Sequence, residues 1–251
     1  MAARIIHLMA HRGNASECPE NTLPALRSAL ELGARFLGID VQLSADGVPV
    51  VIRDHTLTRT AGVNGSVFDM RAAEIAAIEA AERPRFGERY AGTHVPLLGE
   101  VLAFLEDRPE VTFFVELQRA ALTRFGHEQV LQQLLGVLQP RLSQCVLVSR
   151  DLPAIYRARQ MSGCRIGWSI PACDGHTQLK SEALQPDFLF CDRTRLPEHG
   201  ALARGTWRWV VSRVSTIESA IALGARGADF VATGAVRALS EAMRAHAAAA
   251  G

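Results

Sequence analysis

The residues best suited to chemistry lie near the start of the chain, in the stretch HRGNASECPEN that begins at His11. A histidine can transfer a proton near neutral pH. Its neighbour Arg12 carries a planar fork of N–H donors that matches a phosphate, and it could also pair with Glu20. The two roles are compatible, so the stretch predicts a site that binds an anion and moves a proton. Asn21, which ends the stretch, is expected to cap a helix that starts at Thr22.

Two acidic residues stand inside apolar stretches farther along the chain. Asp40 lies in FLGIDVQL, and Glu116 lies in TFFVEL. A carboxylate within an apolar strand is costly unless it pairs with a cationic side chain or ligates a metal ion. Carboxylates are the ligands that hard cations such as Mg²⁺ and Ca²⁺ prefer. A metal site and a structural ion pair are therefore both open at these two positions.

These motifs resemble those of the glycerophosphodiester phosphodiesterase family. The family pattern runs His-Arg-Gly, Pro-Glu-Asn-Thr, Glu-x-Asp on a strand, Asp-Gly, and a His-Asp pair before Leu-x-Arg-Thr. This chain has HRG, PENT, GID, DG and RDHTLTRT in the same order. The resemblance implies a (β/α)8 (TIM) barrel and a phosphoric diester hydrolase that converts a glycerophosphodiester and water into an alcohol and glycerol 3-phosphate. It also implies His11 in proton transfer, Arg12 on the phosphate, and Asp40 and Glu116 as ligands of a divalent cation, Mg²⁺ or Ca²⁺.

Three positions depart from the family pattern. Gly38 stands where the first metal carboxylate is expected, Arg53 where the second catalytic histidine is expected, and Gln118 where a lysine is usual. Losing a carboxylate should weaken Mg²⁺ binding, and an arginine cannot act as a general base because its pKa lies far above neutrality. We therefore hypothesise that Arg53 fills the place of the metal, so that no cation is needed. In that position it would pair with Asp40 and Glu116 and present N–H donors to a phosphate, which makes it a candidate catalytic residue.

A competing hypothesis gives the role of the missing histidine to His55 and makes Gln42 a neutral oxygen ligand. Trp168 could line the mouth of the site against a glycerol or lipid-derived group, and packing in the core is the alternative. The candidate substrate-binding residues are Arg12, Glu20, Arg53, Gln118 and Trp168.

Two rival functions remain open. Without a second acid or base, the chain could be a non-catalytic barrel that binds glycerophosphate or phosphate in the same pocket. A phospholipase-D-like activity on the same scaffold is the other alternative, which the lack of an apolar or basic membrane-binding stretch disfavours.

The composition limits the choice of partner and compartment. The chain has 251 residues, 48% hydrophobic and 21% charged, which suits a single domain over 1–251 with a core large enough to be stable alone. A net charge of +1 predicts no binding to nucleic acid and no stable membrane association, so the expected partner is a small phosphodiester or phosphate ligand. Five cysteines without CxxC pairs, a short N-terminus before the first motif and no apolar run of membrane length predict a cytoplasmic protein with reduced thiols.

Short β-branched or aromatic runs alternate with longer amphipathic runs, which is typical of a TIM barrel. Strands are predicted at 4–9, 36–43, 48–53, 112–117, 144–149, 165–170, 188–191, 207–211 and 229–233. Helices are predicted at 22–32, 71–80, 98–107, 122–138, 152–161, 216–223 and 235–248.

Nine predicted strands exceed the eight places of a barrel. The turn SADG is too short for a parallel crossover, so the strands on either side of it are predicted to pair as an antiparallel hairpin. Pairing about the middle of that turn sets Gly38 opposite Arg53 and Asp40 opposite Val51, whereas a slip of one residue would exchange the faces. The alternative is that one weak candidate is not a strand.

Residues 61–96 are too long for an ordinary barrel loop and contain Gly, Pro and many charged side chains. They resemble the small insertion that this family carries between barrel elements. We expect the segment to form part of the wall of the site.

Overall fold

The strands form a closed sheet. The computed structural model describes residues 6–250 of the chain. Eight parallel strands form the ring because the first pairs with both the second and the last, and one short antiparallel strand extends it at a hairpin. This topology confirms the predicted TIM barrel. The strands in chain order are β1 (His7–His11), β2 (Phe36–Leu43), β3 (Pro49–Val51), β4 (Thr112–Leu117), β5 (Cys145–Ser149), β6 (Arg165–Ser169), β7 (Phe188–Asp192), β8 (Arg208–Ser212) and β9 (Phe230–Thr233).

Helices connect the parallel strands and cover the barrel. Four of them have an N-cap residue whose side chain accepts a hydrogen bond from a backbone N–H of the first turn. These N-caps are Thr22, Asp151, Asp174 and Thr216. The α-helices are α1 (Leu23–Glu31), α2 (Thr58–Ala61), α3 (Ala72–Ala76), α4 (Arg83–Phe86), α5 (Leu98–Phe104), α6 (Arg119–Phe125), α7 (His127–Leu138), α8 (Leu152–Ser162), α9 (Gly175–Leu184), α10 (Ile217–Arg226) and α11 (Val236–Ala250). Short 3-10 helices span Val67–Asp69, Gln139–Gln144 and Arg193–Arg195.

None of the helices within residues 6–250 is both long enough and apolar enough to cross a membrane.

Two layers of apolar side chains hold the barrel together. Inside it, the rings of Phe114, Phe188 and Phe230 meet edge to face with centroids 5.0 to 6.3 Å apart. A larger layer lies between the strands and the helices. Because parallel strands are buried on both faces, their sequences are nearly continuous apolar runs. Trp168 belongs to the outer layer and is only 4% exposed, so its predicted position at the mouth is wrong.

The strand predictions agree closely with the structure at the centre of the motif region. β2 and β4 occupy the predicted ranges. The first strand lies farther along than predicted and extends to His11. Arg4 and Ile5, with which that prediction begins, lie outside the described residues.

The helical predictions differ from the structure in several places. The helix predicted at 71–80 extends only over Ala72–Ala76, and α2 and α4 are not predicted. Two further differences have a clear local cause. The single helix predicted at 122–138 is divided into α6 and α7, because Gly126 adopts a φ of +82° and ends the first helix. Helix α9 escapes sequence-based prediction because its buried residues are Thr177, Ser181 and Leu184, two of which are polar. Its apolar periodicity is therefore weak.

The hairpin forms, but its register differs by one residue from the predicted one. Val51 pairs with Val41 rather than with Asp40. The cause is the turn, in which Ser44 pairs with Val48 across a three-residue loop that ends in Gly47 at a φ of +79°. β3 also stops at Val51, so the chain leaves the sheet two residues before Arg53.

The segment 61–96 packs over one side of the barrel mouth. It contains α3, α4 and the first 3-10 helix, and an isolated bridge joins Glu79 to His94. Glu82 accepts a hydrogen bond from the backbone N–H of Glu20 at 2.6 Å, and Arg85 donates to the carbonyl of Ala15 at 2.6 Å. These contacts hold the segment against the loop that follows β1.

Candidate active site

The loop after β1 places the first motif at the carboxyl end of the barrel. His11 ends β1, and the next two residues turn the chain with φ values of 63° at Arg12 and 76° at Gly13. A Cβ atom at Gly13 would lie 2.5 Å from the backbone of Ala25 in α1. The glycine of HRG is therefore required both by its backbone conformation and by the close approach of α1.

Asp40 lies at the centre of the site and is fully buried. Its Oδ1 accepts hydrogen bonds from Arg53 Nη1 at 2.9 Å and from Gln118 Nε2 at 2.8 Å. Its Oδ2 accepts one from Asn21 Nδ2 at 3.0 Å. Arg12 Nε lies 2.7 Å from the same oxygen as an ion pair, although the N–H does not point at it closely enough for a hydrogen bond. Burial alone would raise the pKa of this carboxyl, but the charges of its neighbours, Arg12 foremost, outweigh burial and lower it.

Asn21 does not cap α1, contrary to the prediction. Thr22 is the cap, with its hydroxyl oxygen accepting from the N–H of Ala25 at 3.4 Å. Asn21 instead adopts a φ of 59°, donates to the Asp40 carboxylate and accepts from the Asp40 backbone N–H at 3.1 Å. Its side chain thus fixes Asp40 from both ends, which is a role that the PENT motif alone does not reveal.

Arg53 makes the contacts that the sequence hypothesis assigns to it. Its Nη1 bonds to Asp40 Oδ1 at 2.9 Å and to Glu116 Oε1 at 3.4 Å. The predicted reason is wrong, however, because Arg53 lies beyond β3 and is not opposite Gly38. The side chain of Met9 occupies the space beside Gly38, and its terminal methyl would lie 2.6 Å from a Cβ atom at that position.

Glu116 and His11 have pKa values shifted by burial. Burial and the nearby charge of Asp40 raise the pKa of Glu116 against the opposing charge of Arg53. Burial lowers the pKa of His11 to about 4, and the charge of Asp40 opposes that shift only in part. At neutral pH His11 is therefore an uncharged imidazole that can accept a proton.

Glu20 is bound on two sides by arginines. Arg12 Nη1 donates to its two oxygens at 3.0 and 3.1 Å, and Arg59 Nη2 donates to it at 2.7 Å. Although burial opposes the shift, the hydrogen bond from Arg59 and the charge of Arg12 lower the pKa of Glu20. Arg59 is the arginine of LTRT, and its place in that motif was the available signal for a role that sequence reasoning missed.

These side chains line a cavity of about 760 Å³ at the mouth of the barrel, which we call the main cavity. His11, Arg12, Glu20, Arg53 and Glu116 all face it. Four further arginines also line it, each from a different connection between strands and none marked by a motif: Arg85, Arg150, Arg195 and Arg213.

The residues of the competing hypothesis lie to one side of this arrangement. His55 is exposed and stacks on Phe68 with ring centroids 5.2 Å apart. Gln42 donates to the backbone carbonyl of Arg53 at 2.9 Å, so it supports the arginine. Both line a second cavity of about 350 Å³, which shares Arg53, Glu116 and Arg150 with the main cavity.

The side chains around Asp40 do not suit the divalent cation that the resemblance implies. Both oxygens of Asp40 already face N–H donors, and Arg53 stands between Asp40 and Glu116. No three His, Cys, Asp or Glu side chains within residues 6–250 lie close enough together to hold a metal ion. A guanidinium between two carboxylates repels a second cation, so this donor set favours Arg53 over Mg²⁺ or Ca²⁺.

Sequence comparison relates the chain to a known family. The model of the Glycerophosphoryl diester phosphodiesterase family matches residues 11–145. The glycerophosphodiester phosphodiesterase of Caldanaerobacter subterraneus subsp. tengcongensis is 43% identical over 101 residues, which cover 40% of this chain and 41% of the relative. Glycerophosphodiester phosphodiesterase 1 of Homo sapiens is 30% identical over 159 residues, which cover 62% of this chain and 46% of the relative. The chain thus spans less than half the length of these relatives.

Solved structures extend the likeness to the whole barrel. A phosphodiesterase of Oleispira antarctica, solved in complex with the product sn-glycerol-3-phosphate, has a TM-score of 0.83 at 22% identity and covers 95% of this chain and 96% of its own. The glycerophosphodiester phosphodiesterase of Agrobacterium tumefaciens has a TM-score of 0.76 at 20% identity and covers 94% of this chain and 100% of its own. At such identities the likeness shows the fold.

Proposed function

This chain belongs to the glycerophosphoryl diester phosphodiesterase family, and on that premise we propose that it hydrolyses a glycerophosphodiester to an alcohol and glycerol 3-phosphate. The observation that carries the proposal is the position of Arg53, which bonds to Asp40 and Glu116 while it lines the main cavity. A cationic side chain that faces the cavity would stabilise the nonbridging oxygens of a bound phosphodiester, which supports the proposal. The glycerol 3-phosphate bound to the structural neighbour supports the same class of ligand for this cavity.

In the proposed reaction, Arg12 and Arg53 hold the phosphate through their N–H groups. Asp40 contacts both arginines and keeps them oriented. The neutral imidazole of His11 accepts a proton from water as the water oxygen attacks phosphorus. The bond between phosphorus and the alcohol oxygen then breaks, and the departing oxygen takes a proton from a water in the open cavity. The hydroxide that remains takes the proton from His11 and restores the neutral imidazole.

A non-catalytic phosphate-binding barrel is the second candidate. It is favoured by one observation, which is that His11 is the single histidine lining the main cavity among the described residues. His55 stacks on Phe68 instead and offers no second proton-transfer group there. The cavity would in that case retain its affinity for a glycerophosphate group without cleaving a diester.

The proposed ligand is a small phosphodiester, and the proposed compartment is the cytoplasm. The five cysteines are all free thiols, as expected in a reducing environment. The charged groups of the cavity converge on one local site, which fits a small anion better than an extended polymer.

Release of glycerol 3-phosphate from glycerophosphocholine would test the proposal. The assay compares the wild type with His11→Ala and with a control, His199→Ala, whose histidine is exposed and does not line the main cavity. It is run in EDTA and again with Mg²⁺ or Ca²⁺. We expect wild-type turnover in EDTA, loss of about 100-fold or more in His11→Ala, and no change in the control.

Three outcomes would decide differently. Turnover that requires added metal would overturn the role of Arg53. No turnover, together with a rise in Tm on adding sn-glycerol 3-phosphate, would support the binding barrel. If Gly38→Glu/Arg53→His then gains metal-dependent turnover, the site has lost its activity through those two positions; Met9 is flexible enough to make room for the new side chain.

A further inference from the structure

Two cysteines lie together between the main cavity and a smaller neighbouring cavity, and they take no part in the proposed reaction. Cys191 belongs to β7 and lines the main cavity. Cys173 lies in the loop between β6 and α9. Their sulfur atoms are 3.6 Å apart, and a disulfide needs about 2.05 Å. A small movement of the loop side chain would therefore bring them to bonding distance.

We propose that Cys173 and Cys191 are a modification site, at which a hydroperoxide converts the two thiols into a reversible disulfide. The Cys173 thiolate attacks one oxygen of hydrogen peroxide, and the O–O bond breaks to give a sulfenic acid and hydroxide. The Cys191 sulfur then attacks the oxidised sulfur, the S–S bond forms, and the sulfenic hydroxyl leaves as water. Two thiols are oxidised in total, and the peroxide is reduced to two molecules of water.

The positions of the two cysteines decide which one reacts with peroxide and which one then attacks the sulfenic acid. Contact with the Cys191 thiol lowers the pKa of Cys173, so the thiolate that attacks peroxide forms more readily there. Cys173 is half-buried and lines a third cavity of about 180 Å³ beside Trp207, which is wide enough to admit hydrogen peroxide. Cys191 is buried, and its sulfur lies 3.6 Å from that of Cys173, so it is placed to attack a sulfenic acid formed there.

The remaining cysteines are protected by burial. Cys18, Cys145 and Cys164 are each less than 5% exposed. Burial raises the pKa of Cys145 to about 12 and also raises that of Cys164. Oxidation at low peroxide should therefore be selective for the cavity pair.

The disulfide would tie the loop 170–174 to β7 at the rim of the site. The loop is already fixed at its start, where the backbone N–H of Ile170 donates to the carbonyl of Phe190 at 2.9 Å. Ile170 lines both the main cavity and the third cavity. The bond would thus hold the partition between the two cavities in one position, independently of whether a phosphodiester is cleaved.

Mass spectrometry of the intact folded protein tests this inference. Protein is treated with equimolar hydrogen peroxide, quenched with catalase, denatured and alkylated. We expect the number of alkylated thiols to fall from five to three and to return to five after dithiothreitol. Peptide mapping should place the cross-link at Cys173 and Cys191, and oxidation should raise Tm by about 5 °C.

The controls are Cys173→Ser, which should form no disulfide, and Cys18→Ser, which should still form it. The inference is overturned if five thiols remain after peroxide, if the cross-link joins another pair, or if dithiothreitol does not restore the thiols. The wild-type thiol count decides the matter even if a variant fails to fold.

Discussion

At the residue scale, Asp40 combines four partners around one buried charge. Two guanidiniums and two side-chain amides face its oxygens, and Glu116 supplies a second negative charge to Arg53. Such a cluster is stable only as long as every charge keeps its counterpart. Removing a single cation should therefore cost more than the hydrogen bond that disappears with it.

Arg53→Met should lower the free energy of unfolding by about 2 kcal/mol at pH 7, because Asp40 would keep its charge with only Arg12 to balance it. Urea unfolding followed by circular dichroism measures the difference. The control is Arg193→Met, at an exposed arginine that bonds to Ser219, and it should change stability by less than about 0.5 kcal/mol. If the two substitutions lower the free energy of unfolding equally, the ion pairs of Arg53 with Asp40 and Glu116 add no more stability than an exposed arginine does.

The lowered pKa of His11 predicts a pH dependence of stability. Its folded pKa is about 4, below the ordinary value of 6.5, so the unfolded chain binds the proton more readily. Stability should therefore rise with pH between about 4 and 6.5 and be lost as pH falls through that window, by at most about 3 kcal/mol. Urea unfolding from pH 4.5 to 7.5 of the wild type and His11→Gln isolates this contribution. A slope that is unchanged in the variant would contradict it.

Much of the site could be predicted from the sequence because its motifs combine residue type with spacing. His11, Arg12 and the Arg53 contacts follow from HRG, from the strand carboxylates and from charge compensation. Asn21 could not be assigned, because a helix cap and a carboxylate clamp use the same side chain. Arg85 comes from the segment 61–96, and no local pattern shows where such a loop will fold.

At the element scale, tight turns determine the strand register and the path of the chain, which the apolar periodicity of the sequence does not determine. Apolar runs predict β2 and β4 well, since buried strands need such runs. They could not fix the hairpin register, which depends on whether the loop holds two or three residues. The turn after β1 shows the same dependence, because Gly13 combines a left-handed conformation with close contact to α1.

Gly13→Ala should lower the free energy of unfolding by about 3 kcal/mol, since an alanine there is strained and overlaps the backbone of Ala25. Gly163→Ala is the matched control. Gly163 has a similar φ of +68° but nothing within 4 Å of the added methyl, so about 1 kcal/mol is expected. Chemical unfolding of both variants separates close approach from backbone strain. Similar losses would mean that α1 moves aside without cost.

At the scale of the whole molecule, the barrel continues well beyond the motifs. The family model ends at residue 145, whereas the fold likeness covers 95% of the chain. The second half was predictable as alternating strands and helices, but α9 was not, because tertiary packing rather than its own apolar face holds it. All eight loops at the carboxyl edge can contribute to one cavity, which explains how unmarked arginines reach it.

Titration of the whole protein with Mg²⁺, Ca²⁺ and Mn²⁺ by calorimetry should show no micromolar binding, because Arg53 already compensates Asp40 and Glu116. The matched comparison is Arg53→His/Gly38→Glu, which restores a third carboxylate and removes the guanidinium. That variant should gain metal affinity. If the wild type binds one of these metals with micromolar affinity and Asp40→Asn abolishes the binding, Arg53 does not replace a metal ion between Asp40 and Glu116.

The side chains around Asp40 also have a consequence for the order of folding. Its hydrogen-bond partners lie 13, 19 and 78 positions away along the chain, so the cluster can close only after β1, β2 and β4 have come together. Contacts of such long range form late, after the loop-closure entropy has been overcome. We expect substitutions at Asn21 or Gln118 to accelerate unfolding in stopped-flow experiments while leaving the refolding rate nearly unchanged. The residues that orient the charged groups of the cavity would then also slow unfolding and so lengthen the lifetime of the native state.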